Sequence, residues 1–341
     1  MYSTSDMILE CVAKKYGITP KDIKEARKKN PENYRADLIL EGNKMAEEGT
    51  PPGVVCLSKI VENGDKLAVV EGIRRAEELK VVKEEAKKQG YKVVTIGVLG
   101  ISQTRDNTEF GMLYDCDYLI FGRGIQDLKD MQAEIDNIIS NKREIPQHWV
   151  QKYKNTKEFV VVDLETTGLS RNSQIIQIAV LKCKKQADDV VVEDKYMSRV
   201  RLVNTNLDRD TVEEVKRITG IDLTGTANEG KDIKHVLVEI EKYLLNYPVV
   251  MHNTAFDLEI LNYWCQKYGM LPFTPKVLFD TKALAKYIYP ASETHLETLT
   301  QKYEIQHTNP HDAENDAFVT AKVFNKLFST KPRVTAGLVL S

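Results

Sequence analysis

The apolar run FVVV, residues 159–162, most constrains how this 341-residue chain can fold. Four consecutive apolar residues are typical of a strand that is buried on both faces within a sheet. The run leads into Asp163 and Glu165, which lie two residues apart and therefore point to the same side of a strand. Open α/β sheets usually bind ligands at the carboxyl ends of their strands, so the stretch predicts a paired-carboxylate site. The alternative is an acidic strand end at the surface without a ligand.

The order of elements after this run predicts an α/β domain with a mixed sheet over residues 158–330. Two more strand-like runs, residues 174–183 and 195–203, follow closely and favour an antiparallel meander. A further strand is predicted at residues 248–251. Helical patterns are found at residues 208–217, 231–246, 256–268, 281–288, 294–303 and 312–328.

The first half, residues 1–145, alternates short apolar runs with charged amphipathic stretches, which favours a second α/β domain with a parallel sheet. The predicted strands are residues 53–57, 66–70, 91–99 and 117–121, and the predicted helices are residues 73–90 and 124–139. Thr19 followed by Pro20 predicts another helix start, because proline fits the first helical position. We expect the polar residues 146–157 to form a linker and residues 331–341 to form a tail.

Charge and cysteine content restrict the class of protein. The 48 basic and 50 acidic residues nearly cancel, so the overall charge does not indicate a nucleic-acid-binding protein. An enzyme that binds phosphate through metal ions needs no basic excess, because the ions supply positive charge locally. The five cysteines form no C-x-x-C pair, which argues against a zinc site or a disulfide framework and favours the cytoplasm. Neither a signal peptide nor a membrane helix is expected, because charged residues interrupt the apolar runs.

Two later stretches add carboxylates to the pair on the first strand. HNTAFD, residues 252–257, follows a short apolar strand and ends with Asp257 at a helix start. HDAENDA, residues 311–317, places His311 five residues before Asp316 at the start of another helix. Each stretch alone is explained equally by a polar helix N-terminus. Together the four carboxylates suit hard cations with oxygen ligands, such as Mg²⁺ or Mn²⁺.

DLETTG, HNTAFD and HDAENDA, in this order, resemble the three motifs of the DEDDh 3′–5′ exonucleases. This superfamily includes the proofreading epsilon subunit of bacterial replicative polymerase. The resemblance covers about residues 157–330, including FDTKALAKYIYP and HLETLTQKY. It implies a ribonuclease-H-like fold and a phosphodiesterase that uses two divalent cations, Mg²⁺ or Mn²⁺.

The resemblance also implies roles for individual residues. Asp163, Glu165 and Asp316 would bind the metals, and Asp257 would bind them directly or through water. His311 would be the general base, and a histidine at this spacing, rather than a tyrosine, indicates the branch marked "h". Histidine titrates near neutral pH and is therefore a suitable base. Contacts to the terminal nucleotide are predicted for Thr166, Gly168, Leu169, Asn253 and Phe256. Ordinary roles in turns or in the core would explain these residues almost as well.

The substrate implied by the resemblance is the 3′ end of a single nucleic-acid strand, with DNA favoured over RNA. A role in proofreading or repair and a DNA polymerase or another replication protein as partner follow from the same resemblance. Two alternatives remain, an RNA-trimming exoribonuclease and a non-catalytic adaptor that binds nucleic acid or a nucleotide. The complete carboxylate set argues against the adaptor.

The first half resembles the later part of P-loop nucleoside-monophosphate kinases and dephospho-coenzyme-A kinases. The resemblance lies in LAVVEGIRRAEELK, YKVVTIGVL and CDYLIFGRGIQDLKDMQAEIDNII. The first strand and the glycine-rich phosphate loop of those kinases are missing. We interpret residues 1–145 as a degenerate nucleotide-binding or docking module, and the alternative is an unrelated α/β interaction domain.

We therefore predict that the first half neither binds ATP tightly nor transfers phosphate. Without the glycine-rich loop there is no cradle of backbone N–H groups for the ATP phosphates. ATP-dependent phosphorylation of a nucleoside monophosphate or of dephospho-coenzyme A by residues 1–150 would contradict this prediction.

Overall fold

The computed structural model describes residues 1–66, 68–73, 75–100, 116–122, 128–140, 143–186, 189–226 and 230–329. These residues group into two compact units, one with residues 1–95 and Cys116 and the other with residues 96–100 and 117–329. The division therefore falls earlier than the predicted linker at residues 146–157. The predicted tail lies outside the described residues, and the roles assigned to the two halves stay predictions.

The first unit is mainly helical. Thr19 caps the second helix as predicted, because its side chain accepts a hydrogen bond from the Asp22 N–H and Pro20 is the first helical residue. The two short strands pair in parallel. The elements are β1 (Tyr2–Ser3), α1 (Thr4–Tyr16), α2 (Pro20–Lys29), α3 (Arg35–Glu47), α4 (Pro52–Glu62), β2 (Val70–Glu71) and α5 (Ala76–Lys88).

The strand predicted at residues 53–57 is wrong, because these residues lie in helix α4. The short apolar run is one part of a longer helical pattern, in which Cys56, Leu57 and Ile60 form one buried face. Pro52 at the first helical position was the signal available in the sequence. The predicted strand at residues 66–70 is reduced to Val70 at the start of β2.

The second unit begins with a pair of parallel strands and two helices. These are β3 (Ile96–Gly100), β4 (Tyr118–Gly122), α6 (Leu128–Ile139) and α7 (Gln147–Asn155). Helix α7 occupies the predicted linker. Its Trp149 is 6% exposed, lies with its ring centroid 5.4 Å from that of Phe279, and donates from Nε1 to Glu134 at 3.1 Å. Trp149 and Tyr153, four residues apart, form the apolar face that the polar composition concealed.

The central sheet is mixed, as predicted. Its strands are β5 (Glu158–Thr166), β6 (Ile175–Gln186), β7 (Asp189–Arg199), β8 (Val249–Met251) and β9 (Leu278–Asp280), in the order β7-β6-β5-β8-β9. Strands β5, β6 and β7 form the predicted antiparallel meander, and β8 and β9 add in parallel. Strand β9 was not predicted, since three residues carry too little periodicity. Strand β7 was predicted at residues 195–203, but it spans Asp189–Arg199.

Among the described residues, seven α-helices follow the meander, and six correspond to predicted ones. They are α8 (Arg209–Thr219), α9 (Leu223–Thr226), α10 (Ile233–Asn246), α11 (Thr254–Lys267), α12 (Thr281–Lys286), α13 (Leu296–Lys302) and α14 (Ala313–Ser329). The short α9 was not predicted. No helix among the described residues is long and apolar enough to cross a membrane.

Helix α14 packs against the strands of the meander. Ala313, Ala317, Ala321 and Phe324 are fully buried at helical spacing, in one core with Phe159 of β5. Alanine side chains let the helix backbone approach the sheet closely, and the rings of Phe324 and Phe159 lie 5.0 Å apart. This packing holds the first turn of α14 close to β5 and β6.

We predict that Trp149→Ala lowers the free energy of unfolding by about 3–5 kcal/mol, the usual cost of truncating a buried tryptophan. The loss arises from the cavity beside Phe279 and from the Glu134 carboxylate, which loses one donor. Urea unfolding of the full chain measures it. Lys154→Ala, at an exposed position of the same helix, is the control. An equally small effect of both changes would show that α7 does not contribute to the core.

Candidate active site

Strand β5 positions the first two carboxylates. Asp163 lies opposite Ala179 and Glu165 opposite Gln177 in the pairing with β6, and the register shifts directly after Glu165. Glu165 is 8% exposed, whereas Asp163 is partly exposed. The structure thus places both side chains at the carboxyl end of a central strand, as the sequence predicted.

Asp257 enters from the first turn of α11, whose start is held by a buried aspartate on β9. The Oδ1 and Oδ2 atoms of Asp280 accept hydrogen bonds from the Asn253 N–H (3.2 Å) and the Thr254 N–H (2.8 Å). Asp280 also accepts from the Ala283 N–H at 3.0 Å. Asn253 has a φ of 73°, in the left-handed region that asparagine tolerates. Asp280 was not among the predicted site residues, because it ends a strand that was not predicted.

Asp316, in the first turn of α14, is held by two histidines. Its Oδ1 lies 2.6 Å from His307 Nε2, and its Oδ2 accepts a hydrogen bond from the His311 backbone N–H at 3.2 Å. His311 precedes the helix with a φ of 62° and an exposed side chain. It therefore lies at the helix entrance, as predicted. His307 was not among the predicted site residues, although it stands only nine residues before Asp316.

Three of the predicted residues come close enough to share one ion. One ligand atom each from Glu165, His311 and Asp316 lie within 4.8 Å of one another. The carboxylates of Asp163 and Asp257 interact electrostatically with this group. The structure therefore brings all four predicted carboxylates and His311 to one place.

Asp312 and Gln177 attach α14 to the sheet beside Glu165. Gln177 donates from Nε2 to Asp312 Oδ2 at 3.1 Å, and Asp312 Oδ1 accepts from the Asn315 N–H at 3.1 Å. Asp312 is thus the cap of the helix. Both interpretations of the motif HDAENDA therefore apply. Asp312 caps the helix N-terminus, and Asp316 faces the other carboxylates.

The carboxylates repel one another where water is excluded. Burial raises the pKa of Asp163 well above its usual value, and the charges of Asp257 and Asp316 raise it further. Burial also raises the pKa of Glu165 to about 8, with Asp316 and Asp312 adding to the effect and Arg199 opposing it. A bound divalent cation would compensate this repulsion. The donor set, rich in carboxylate oxygens, fits Mg²⁺ or Mn²⁺.

Burial raises the pKa of the other two carboxyl groups as well. For Asp257 the backbone N–H groups of Asp257 and Leu164 oppose the shift, while Glu165 adds to it. For Asp316 the contact with His307 opposes the shift. Burial thus raises the pKa of all four carboxyl groups, and a bound cation would oppose that shift.

The five residues predicted to contact the terminal nucleotide differ in exposure and in hydrogen bonding. Leu169 is 80% exposed. Thr166 donates from Oγ1 to the Gly168 carbonyl at 2.7 Å, so its hydroxyl is used within the loop. Asn253 and Phe256 are partly buried at the start of α11. Of these five residues, Leu169 leaves the most surface available to a ligand.

Comparison with known proteins finds similarity over the same region. Residues 160–324 match the exonuclease family model RNase_T. The 3′-5′ exonuclease DinG of Bacillus subtilis is 31% identical over 173 residues, which is 50% of this chain and 17% of that protein. A PolC-type DNA polymerase III of Halalkalibacterium halodurans is 33% identical over 165 residues, 48% of this chain and 11% of that protein. The chain thus matches only a small part of the length of these relatives.

Solved structures show similarity over the same half of the chain. The nuclease domain of 3′hExo, a DEDDh family member bound to rAMP, has a TM-score of 0.44 at 20% identity, and the match covers 51% of this chain and 92% of that one. The E. coli ExoI–ssDNA complex has a TM-score of 0.45 at 19% identity, covering 52% and 42%.

We predict that Glu165→Gln stabilises the metal-free protein increasingly as the pH rises from about 4.5 to about 8. The folded state holds the Glu165 proton more tightly than the unfolded state. The stability linked to this proton is therefore complete below the unfolded pKa and lost as the pH rises through the folded pKa. By pH 8 the difference is on the order of 4 kcal/mol, at roughly 1.4 kcal/mol per unit.

Chemical unfolding of both proteins in EDTA between pH 5 and pH 8.5 measures this difference. Glu241→Gln, on the exposed face of α10, is the control for removing an acidic charge. A constant difference between Glu165→Gln and the unchanged protein across the pH range would contradict the prediction.

Proposed function

We propose that residues 160–324, which match the exonuclease family model RNase_T, form a DEDDh-type 3′–5′ exonuclease domain that removes nucleotides from the 3′ end of single-stranded DNA. The observation that carries the proposal is the convergence of Asp163, Glu165, Asp257 and Asp316 with His311 at the carboxyl end of β5. Such a group suits hydrolysis of a phosphodiester, because the reaction needs bound cations and a base close together.

Asp163, Glu165 and Asp316 bind two divalent cations, Mg²⁺ or Mn²⁺, and Asp257 binds directly or through water. Support comes from the raised pKa of all four carboxyl groups, whose repulsion a cation relieves. When bound, two such cations stabilise the attacking and leaving oxygens of an in-line displacement. Metal ligands on a central strand and in first helical turns are held rigidly, which favours a defined geometry.

His311 accepts the proton of the attacking water. Its side chain is exposed, so the imidazole can exchange the proton with solvent. Its backbone N–H holds Asp316 Oδ2, which keeps the residue beside the carboxylates. Proton transfer of this kind contributes about 10²–10⁴-fold to a rate.

Leu169, Phe256 and the backbone around Gly168 contact the terminal nucleotide, with Thr166 and Asn253 shaping the turns that present them. DNA is the favoured substrate, because the relatives named above include a PolC-type DNA polymerase III. The same similarity supports a DNA polymerase or another replication protein as partner, and a role in proofreading or repair. Residues 1–145 serve as a docking or degenerate nucleotide-binding module.

We predict that Asp163→Ala abolishes Mg²⁺-dependent release of mononucleotides from a 3′-labelled DNA strand while the protein stays folded. The change removes a metal ligand, which costs several orders of magnitude in rate. It also relieves carboxylate repulsion, so the melting temperature in EDTA should stay the same or rise. Near-normal activity of the variant, or release from the 5′ end, would contradict the two-cation assignment.

We predict that His311→Ala slows the same reaction by about 10²–10⁴-fold but keeps cation binding, because the side chain transfers a proton. His235→Ala, an exposed histidine on α10, is the control. A matched RNA strand in the same assay distinguishes a deoxyribonuclease from the RNA-trimming alternative. Binding of either strand without hydrolysis would favour the adaptor instead.

A further inference from the structure

The geometry points to His307 as a positioning residue that orients the carboxylate of Asp316 for cation binding, leaving proton transfer to His311. The inference rests on the proposed function. His307 lies outside the three sequence motifs. It would orient a metal ligand, whereas the nearby His311 would transfer the proton.

The imidazole of His307 makes one close polar contact. Its Nε2 lies 2.6 Å from Asp316 Oδ1, and the side chain is 8% exposed. The other ring nitrogen, Nδ1, is buried without a hydrogen-bond partner among the described residues. When Asp316 is ionised, as cation binding requires, its oxygen can only accept, so the ring proton then lies on Nε2 and is donated to Asp316. The contact therefore orients Asp316 and does little else.

The loop between α13 and α14 holds His307 in this position. Ile305 packs against the main core, and its N–H donates to the Thr300 carbonyl at 2.8 Å. On the other side, Asn315 donates from Nδ2 to Thr308 Oγ1 at 3.3 Å. The residue is thus fixed from both directions, as a group that sets the direction of another side chain must be.

Asp316 keeps capacity for a cation in this arrangement. Oδ1 accepts from His307 and Oδ2 from the His311 N–H, and each carboxylate oxygen can accept a second bond. Residues that orient a metal ligand in this way typically change metal affinity about 10–100-fold when they are replaced.

The two histidines differ in solvent exposure, and this difference favours different roles for them. The His307 side chain is only 8% exposed and its Nε2 is engaged with Asp316, so it is poorly placed to exchange a proton with solvent water. The His311 side chain is exposed, and one of its ring nitrogens lies within 4.8 Å of ligand atoms of Glu165 and Asp316. Only His311 can therefore meet an attacking water and release the proton afterwards.

The test uses the full chain with His307→Leu, His307→Gln and His311→Gln, and His235→Gln on the exposed face of α10 as the control. Mn²⁺ binding is measured by calorimetry, independently of activity. Hydrolysis of the p-nitrophenyl ester of thymidine 5′-monophosphate, followed against Mn²⁺ concentration, separates the half-saturating concentration from kcat. Leucine fills the space without a donor, whereas the glutamine amide places an N–H near the position of Nε2.

We expect His307→Leu to weaken Mn²⁺ binding about 10–100-fold and to raise the half-saturating concentration equally, with kcat at saturation within about threefold. His307→Gln should restore Mn²⁺ binding, because it restores the donor. His311→Gln should lower kcat by about 10²-fold or more and leave Mn²⁺ binding unchanged. Should the leucine variant fail to fold, His307→Asn, whose shorter amide cannot reach Asp316, replaces it.

Unchanged Mn²⁺ binding in the variant that lacks the donor would overturn the inference. So would a loss of kcat of about 100-fold in His307→Gln with Mn²⁺ binding retained, since His307 would then be the base. If the unchanged protein hydrolyses neither the ester nor an oligonucleotide, the proposed function fails. The calorimetry still decides whether His307 supports cation binding, so the two failures are distinguishable.

Discussion

Repulsion between carboxylates in a space that excludes water is the interaction on which the rest of the second unit depends. Asp163 and Glu165 lie at the end of a buried strand, and Asp257 and Asp316 are brought against them from two helices. Each of these groups loses hydration and meets like charges, which is unfavourable for folding. The surrounding structure must therefore hold the group together against this repulsion.

Three attachments supply that constraint, and each fixes a first helical turn. Asp280 holds the start of α11 through backbone N–H groups. Gln177 and Asp312 join the start of α14 to β6. The buried alanines of α14 let the helix lie close to the sheet. Because apolar packing and backbone hydrogen bonds provide the stability, the carboxylates remain available for chemistry.

The near-zero net charge of the whole chain does not describe the charge at this group of carboxylates. Four carboxyl groups gathered at the end of β5 would repel a phosphate unless cations were bound there. His307 and His311 add the two N–H donors that hold Asp316 within this acidic environment.

The sequence by itself determined the central strand, the meander, most helices and the catalytic candidates, because these depend on local periodicity and on the spacing of short motifs. It did not determine α4 or α7, in which short apolar or polar stretches concealed a helical face, or β9, which has only three residues. Asp280, Gln177, Asp312 and His307 acquired their contacts only in the tertiary structure. Their partners lie on other strands, helices or loops, and a hydrogen bond between such elements leaves no periodic signal in the sequence.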